Sequence, residues 1–265
     1  MKTSTILILS GLLIAGIASA QKLPQTQITA LWTPQNLKID GLPNEWGTFQ
    51  AYNKTTNIFY TLSNDDKNLY LAVQATDPVI INKITSSGIT FTVEKKNSDQ
   101  SVTFPAYDKE NRAVFDIMMN APKANSTDKN AMLRIDTFVR SHNALRDQHQ
   151  KIIRLAHNDQ ENDISVFNDE GIKVSARIDN RLTYTQEFAI PLKYLGVNAG
   201  ESFNYIVQLN GQIPKGATTP DTGRPDIITY TGADGQSYMV GRATPENLTL
   251  AYPTNFKAKY TLATK

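Results

Sequence analysis

Between Asn57 and Ala75 apolar and polar positions alternate on either side of the polar break Asn64-Asp65-Asp66-Lys67-Asn68. A period of two is what a strand with one buried face requires, so Asn57 to Ser63 and Leu69 to Ala75 predict a hairpin. Leu69, Leu71 and Val73 share its inner face, and Tyr60 and Tyr70 are expected outside as cross-strand partners. Gly88 to Glu94 alternates in the same way, with Ile89, Phe91 and Val93 on one side. Further strand patterns run over Leu31–Lys38, Ala113–Met119, Lys151–Ala156, Asp163–Phe167, Ile172–Ile178, Leu182–Ile190, Phe203–Leu209 and Asn255–Leu262. Turn chemistry separates them at Asp40-Gly41 with Pro43-Asn44, at Asn168 to Gly171 and at Asp179-Asn180. Short strands with turns at intervals of about ten residues predict an all-β fold, an antiparallel β-sandwich with immunoglobulin-like layering.

The period changes over 125–148. Met132, Ile135, Phe138 or Val139, and Ala144 or Leu145 recur at helical spacing behind Ser126-Thr127-Asp128, which reads as a helix start. One inserted amphipathic helix is therefore expected against the sandwich. Leu192 to Gly196 reads as a single helical turn ended by glycine. Gly211 to Arg224, rich in Gly, Pro and Thr, reads as a long loop, and loops of that length in a compact domain are commonly functional.

Met1-Lys2, the apolar run Ile6 to Ile17 and Ala18-Ser19-Ala20 predict a signal peptide cleaved after Ala20, leaving one domain over 21–265, secreted or periplasmic. The chain has no cysteine, which removes disulfides, thiolate nucleophiles and zinc–thiolate sites. Lys+Arg of 27 against Asp+Glu of 25, without a basic block, argues against a nucleic-acid partner. No apolar segment after the signal region approaches membrane length, so no membrane span is expected.

Four segments carry a family resemblance: Ile39-Asp40-Gly41 through Glu45-Trp46, Leu69-Tyr70-Leu71-Ala72-Val73 through Asp77-Pro78, Gly88 to Glu94, and Glu187-Phe188-Ala189-Ile190-Pro191-Leu192 through Leu195-Gly196. In this order they resemble carbohydrate-binding family 9 modules and their secreted, DOMON-like relatives. The resemblance implies a non-catalytic sandwich that holds a sugar between aromatic rings, whose faces stack on a pyranose while its hydroxyls meet polar groups. The family's sugar-binding members place a stacking Trp and acidic residues just after the Asp-Pro element. Here Val79 to Ser87 contains neither an aromatic nor a carboxylate. The rings for a sugar must then come from Trp32, Trp46 or loop tyrosines such as Tyr107, Tyr230, Tyr238 and Tyr252.

Asp40, Glu45 and Asp77 can supply oxygen ligands for calcium, whereas Asp65 and Asp66 belong to an ordinary hairpin turn. His142, His149 and His157 lack the i, i+4 spacing of a zinc pair and read as solvated side chains. The chain has no G-x-S-x-G elbow, P-loop or G-x-G-x-x-G, so a binding rather than catalytic role is expected. The alternative is a structural or protein-interaction sandwich of the cell envelope. A third reading comes from haem-holding sandwiches of the DOMON type, for which Met118, Met119 or Met239 would be the candidate axial ligands.

Overall fold

The alternating segments do form strands, and these sort into two stacked antiparallel sheets. The computed structural model describes residues 22–96, 98–106, 121–122, 129–158, 160–219 and 224–265. The expected signal segment, Tyr107, the Ala113–Met119 strand pattern and the Ser126-Thr127-Asp128 start signal lie outside them.

One sheet carries β1 (Ala51–Asn53), β2 (Ile58–Asn64), β3 (Asn68–Ala75), β9 (Tyr184–Pro191) and β8 (Lys173–Ile178), in that spatial order. The other runs β13 (Thr254–Thr261), β10 (Ser202–Leu209), β4 (Ile89–Glu94), β5 (Gln100–Phe104), β6 (Ile152–His157) and β7 (Gln160–Ser165). Ile58, Tyr60, Leu62, Leu71, Val73 and Phe188 from the first sheet share one core with Phe91, Val93, Val102, Tyr205 and Val207 from the second. Alternation thus selects the core face on both sides, as a sandwich requires.

Tyr60 departs from expectation. It points inward and is 0% exposed. The reason is that its hydroxyl finds partners inside: it lies 3.0 Å from the Tyr205 hydroxyl and accepts from Gln27 N at 2.9 Å. A buried tyrosine is tolerated when its O–H is satisfied, and its ring then contributes a large apolar surface to the core. Tyr70 does stay on the outer face, half-buried, with its hydroxyl donating to Asp65 at 2.7 Å.

Leu31–Lys38 is not a strand either. Only Trp32 bridges the sheet, opposite Asn64, through Thr33 N to Asn64 O at 2.9 Å and Asn64 N to Leu31 O at 3.0 Å. Pro34, which has no N–H, follows immediately and cannot extend the ladder.

Among the described residues, four α-helices lie between the strands. α1 (Pro78–Ser87) crosses from β3 to β4, begun by Asp77, whose side chain accepts from Val79 N and Ile80 N, with proline in the first turn. It buries Ile80, Ile81 and Ile84. α2 (Lys129–His149) is the expected amphipathic helix, but its buried stripe is Ala131, Ile135, Val139 and Arg146. Met132 is 76% exposed, so the inner face is turned by about one position from the expected one. α3 (Leu192–Leu195) ends on Gly196 at φ 59, as a glycine end requires.

The strands β10 and β13 are direct neighbours, yet the chain between them carries an elaborate cap. The cap contains the segment after Asn210, the hairpin β11 (Ile227–Thr231) and β12 (Ser237–Arg242), and α4 (Pro245–Ala251). What reads as a long loop is anchored at its start and again at Thr218. Gln212 N and Ile213 N donate to Leu250 O and Ala251 O at 2.9 and 3.1 Å, and Thr218 exchanges two backbone bonds with Thr231. α4 packs on α1. Among the described residues no helix is long and apolar enough to cross a membrane.

Candidate functional site

The outward positions of the six-stranded sheet fall in register rows. In one row Gln208, Thr90, Thr103, Arg154 and Asp163 stand side by side on β10, β4, β5, β6 and β7. The next row is Ile206, Thr92, Ser101, Ala156 and Glu161. On β4 and β5 these positions are Thr90, Thr92, Ser101 and Thr103, all small and hydroxyl-bearing, so the sheet face is depressed there. The cap then raises a wall beside it with Gly211 to Lys215, Tyr252 and Pro253. The result is an open trough of about 930 Å³.

The floor is held by its own hydrogen bonds. The Thr90 and Thr103 hydroxyls lie 2.7 Å apart. Asn210 sits at their end, donating from Nδ2 to Thr90 Oγ1 and to Ser87 O, both at 3.0 Å, while its Oδ1 accepts from Gln208 Nε2 at 2.9 Å. A network satisfied in this way presents a fixed set of donors and acceptors to solvent. Adjacent strands repeat at about 4.8 Å, so hydroxyls recur across the trough at that interval.

The charges at its side are largely compensated. Arg154 donates from Nε and Nη2 to the two oxygens of Asp163 at 2.7 and 2.9 Å, with Glu161 at 3.4 Å. The hydrogen bond from Arg154 is the chief reason that the Asp163 carboxyl is held below its usual range. Glu161 and Asp99, at the far end, are both exposed.

Behind the wall lies a buried cation. Lys83 on α1 is 0% exposed, and its Nζ donates to Tyr252 O at 2.6 Å and to Thr254 Oγ1 at 3.1 Å. Burial pushes its pKa down to about 8. Lys83 therefore pins the one aromatic residue of the trough from the inside, through the backbone.

The residues named from the sequence are dispersed. Trp46 is 7% exposed and donates its indole N–H to Glu187 at 2.6 Å, so it packs in a small core on the outer face of the five-stranded sheet, with Phe49 and Ala72. Trp32 is half-buried, with the Lys265 ammonium 4.9 Å from its ring centre. Tyr230 and Tyr238 do meet, as directly opposed partners on β11 and β12, but their rings stack on each other at 5.2 Å and leave no slot for a sugar between them. Tyr230 is buried, and Tyr238 donates to Asp234 at 2.5 Å. Of the loop tyrosines in the described residues, only Tyr252 lines the trough.

Asp40, Glu45 and Asp77 do not assemble. Asp77 caps α1 and also accepts from Asn57 Nδ2 at 3.1 Å, whereas Asp40 and Glu45 lie in the turn above Glu187. Among the described residues no three His, Asp or Glu side chains stand together as a metal site. Met239 is 72% exposed on the hairpin; Met118 and Met119 lie outside the described residues.

Sequence reasoning overlooked Thr90, Thr92, Ser101, Thr103 and Asn210. One signal was present: on two consecutive strands the outward positions Thr90, Thr92, Ser101 and Thr103 all carry hydroxyls, with Glu94 the one charged member at the end of β4, where a plain solvent face would carry more long charged side chains. Compared with known proteins, the chain matches no family model and no curated relative.

Proposed function

We propose that this protein is a secreted or periplasmic, non-catalytic glycan-binding sandwich that takes an uncharged polysaccharide along the trough of its six-stranded sheet. The observation that carries this reading is the hydroxyl and amide floor of Thr90, Thr103, Gln208 and Asn210, tied into one network before any ligand arrives. Sugar hydroxyls both donate and accept, as do threonine hydroxyls and side-chain amides, so each can serve either sense of the bond. The Tyr252 ring at the wall supplies an apolar face for a pyranose. Compensation of Arg154 by Asp163 and Glu161 favours a neutral chain over an acidic one. The resemblance to carbohydrate-binding family 9 modules and the signal-like first 20 residues support the same reading, with a site on the sheet face instead of an aromatic clamp.

The test is affinity gel electrophoresis of the chain against neutral and acidic polysaccharides, with and without calcium. Retardation by a neutral polymer, reduced in Asn210→Ala and Tyr252→Ala, is the expected result. No retardation by any polymer in either condition would sink the proposal. A protein-interaction sandwich is the second reading, favoured by the neighbouring exposed side chains Met132 and Leu133 on α2, at 76% and 61% exposure.

A further inference from the structure

The first row of the six-stranded sheet does not stop at the trough. Beyond Gln208 it reaches Asn255 on β13, exposed at the edge of the sheet. Asn255, Gln208, Thr90 and Thr103 thus stand on the consecutive strands β13, β10, β4 and β5. They also belong to one hydrogen-bonded chain. Asn255 Nδ2 donates to Gln208 Oε1 at 3.5 Å, Gln208 Nε2 to Asn210 Oδ1 at 2.9 Å and Asn210 Nδ2 to Thr90 Oγ1 at 3.0 Å, and the Thr90 and Thr103 hydroxyls lie 2.7 Å apart. Asn255 and Gln208 each use one of two amide N–H bonds in this chain, and the hydroxyls keep a lone pair, so every strand still offers a polar group to a ligand. The row stays uncharged until Arg154 on β6.

The wall fixes which way a ligand lies. The cap leaves β10 after Leu209 and re-enters β13 at Thr254, and those two residues are register partners. Ile89 and Phe104 mark the same end of β4 and β5. The wall therefore stands across the strand ends, alongside the row, and a chain laid against it crosses the strands. At either end the row runs out over an edge strand, β13 or β7, with no further strand paired outside them among the described residues. Adjacent strands repeat at about 4.8 Å. A pyranose chain joined through equatorial bonds on opposite sides of each ring advances by one ring length per sugar, close to that repeat, and stays straight. An axial linkage turns each ring away from the last and coils the chain off the row.

We infer that the trough takes the interior of a single extended, equatorially linked glycan, with one sugar over each of β13, β10, β4 and β5 and both chain ends running on past the edges of the sheet. This rests on the glycan reading above and adds to it a direction, a length and a linkage. The row from β13 to β5 spans about 14 Å, so contacts accumulate over the sugars that cover those strands and then stop. Tyr252, just ahead of β13, offers its ring at the Asn255–Gln208 end.

The test is isothermal titration of the full chain with cello-, manno- and xylo-oligosaccharides from the dimer to the hexamer. Maltohexaose serves as the coiled counterpart, and borohydride-reduced hexamers serve as chains without a reducing ring. In at least one extended series affinity is expected to rise about two- to tenfold per added sugar up to the tetramer and to level off beyond it. The reduced hexamer should bind as tightly as its parent, and maltohexaose about tenfold more weakly or worse. Asn255→Ala, at an exposed position, is expected to move the plateau from the tetramer to the trimer, which a purely structural role would not do. No binding in any extended series, a plateau already reached at the dimer, loss of binding on reduction of the chain end, equal binding of maltohexaose, or an unmoved plateau in N255A would overturn the inference. Any of these results alongside retardation by a neutral polysaccharide overturns this inference alone, whereas absence of all retardation overturns the glycan reading with it.

Discussion

Trp46 donates its indole N–H to Glu187 at 2.6 Å, joining two segments that lie 141 residues apart. The same carboxylate accepts from Asp40 N at 2.9 Å and Gly41 N at 2.7 Å, so one buried side chain on β9 holds the whole Asp40–Trp46 turn against the sheet. Gly41 has φ +84 and passes so near β8 that a Cβ would stand 2.7 Å from the Ala176 carbonyl carbon. The Ile39–Trp46 motif and the Glu187–Gly196 motif are therefore two halves of one clasp.

Replacing Glu187 by Gln keeps the shape and turns one acceptor into a donor that faces N–H groups. Unfolding free energy should fall by about 1–3 kcal/mol, the range for leaving a buried donor unpaired. Urea denaturation of E187Q, W46F and the double variant measures it. The double variant should lose less than the two single losses added, because both remove the same bond.

Glu187 also gives stability a pH dependence of definite sign. Burial, the largest influence, pushes its pKa up to about 7 against the opposing hydrogen bonds from Gly41, Trp46 and Asp40, and the Asp40 charge adds to the rise. Between about 4.5 and 7 the folded state then holds a proton that the unfolded chain has released, so stability falls as pH rises through this window. Below it the contribution is fully present, and above it the contribution is flat. Denaturation midpoints measured across pH 4–8 should show this descent in the wild type and lose it in E187Q; parallel curves would refute it.

Lys83 has the opposite sign. Its lowered pKa means that between about 8 and 10.5 the unfolded chain holds a proton that the folded one has lost, so stability gains as pH rises through that range. Comparing the wild type with Lys83→Met from pH 7 to 11 isolates the gain. K83M also leaves Tyr252 O and Thr254 Oγ1 without their donor, so hydrogen exchange over 250–254 should quicken in that variant.

The sheets were legible because each strand with one buried face must alternate, and Leu69, Leu71 and Val73 do so over a long run. α1 was written in its Asp77-Pro78 start, a side-chain cap followed by a proline that needs no N–H, but the β-branched Val79, Ile80, Ile81, Ile84 and Thr85 that follow disguise it. Tyr60 was misjudged because the sequence does not tell a phenol with an interior partner from one that needs water. Arg146 was invisible for a related reason: a helical stripe is read by its apolar members, and Leu145 is the apolar neighbour. The trough is the hardest to foresee. Its rows join residues from five strands, and only pairing across the sheet turns scattered threonines into a surface.

In the trough itself, Thr90→Val keeps the volume and removes the hydroxyl shared by Thr103 and Asn210. Affinity for a neutral polysaccharide should drop by about 0.5–1.5 kcal/mol per hydrogen bond lost, or roughly two- to tenfold. Isothermal titration reads the affinity, and a thermal melt should show a smaller change, since the side chain is half-buried. A large loss of stability without loss of affinity would make Thr90 a structural residue.

Gly211 separates the wall from the floor. A Cβ at this position would stand 2.3 Å from Ala251 O, 2.7 Å from Tyr252 C and 2.8 Å from Pro253 N, all of them backbone atoms that cannot rotate aside. Gly211→Ala must therefore push the Tyr252–Pro253 segment outward, against the hold of Lys83 on Tyr252 O. Overpacking of this kind typically costs about 1–3 kcal/mol. The displaced ring should also lose its contact with a bound sugar, so G211A is expected to weaken polysaccharide binding more than T90V does. If the trough is the site and Tyr252 its wall, Tyr252→Ala introduced on top of G211A should then cost little further affinity, because the ring has already been moved away.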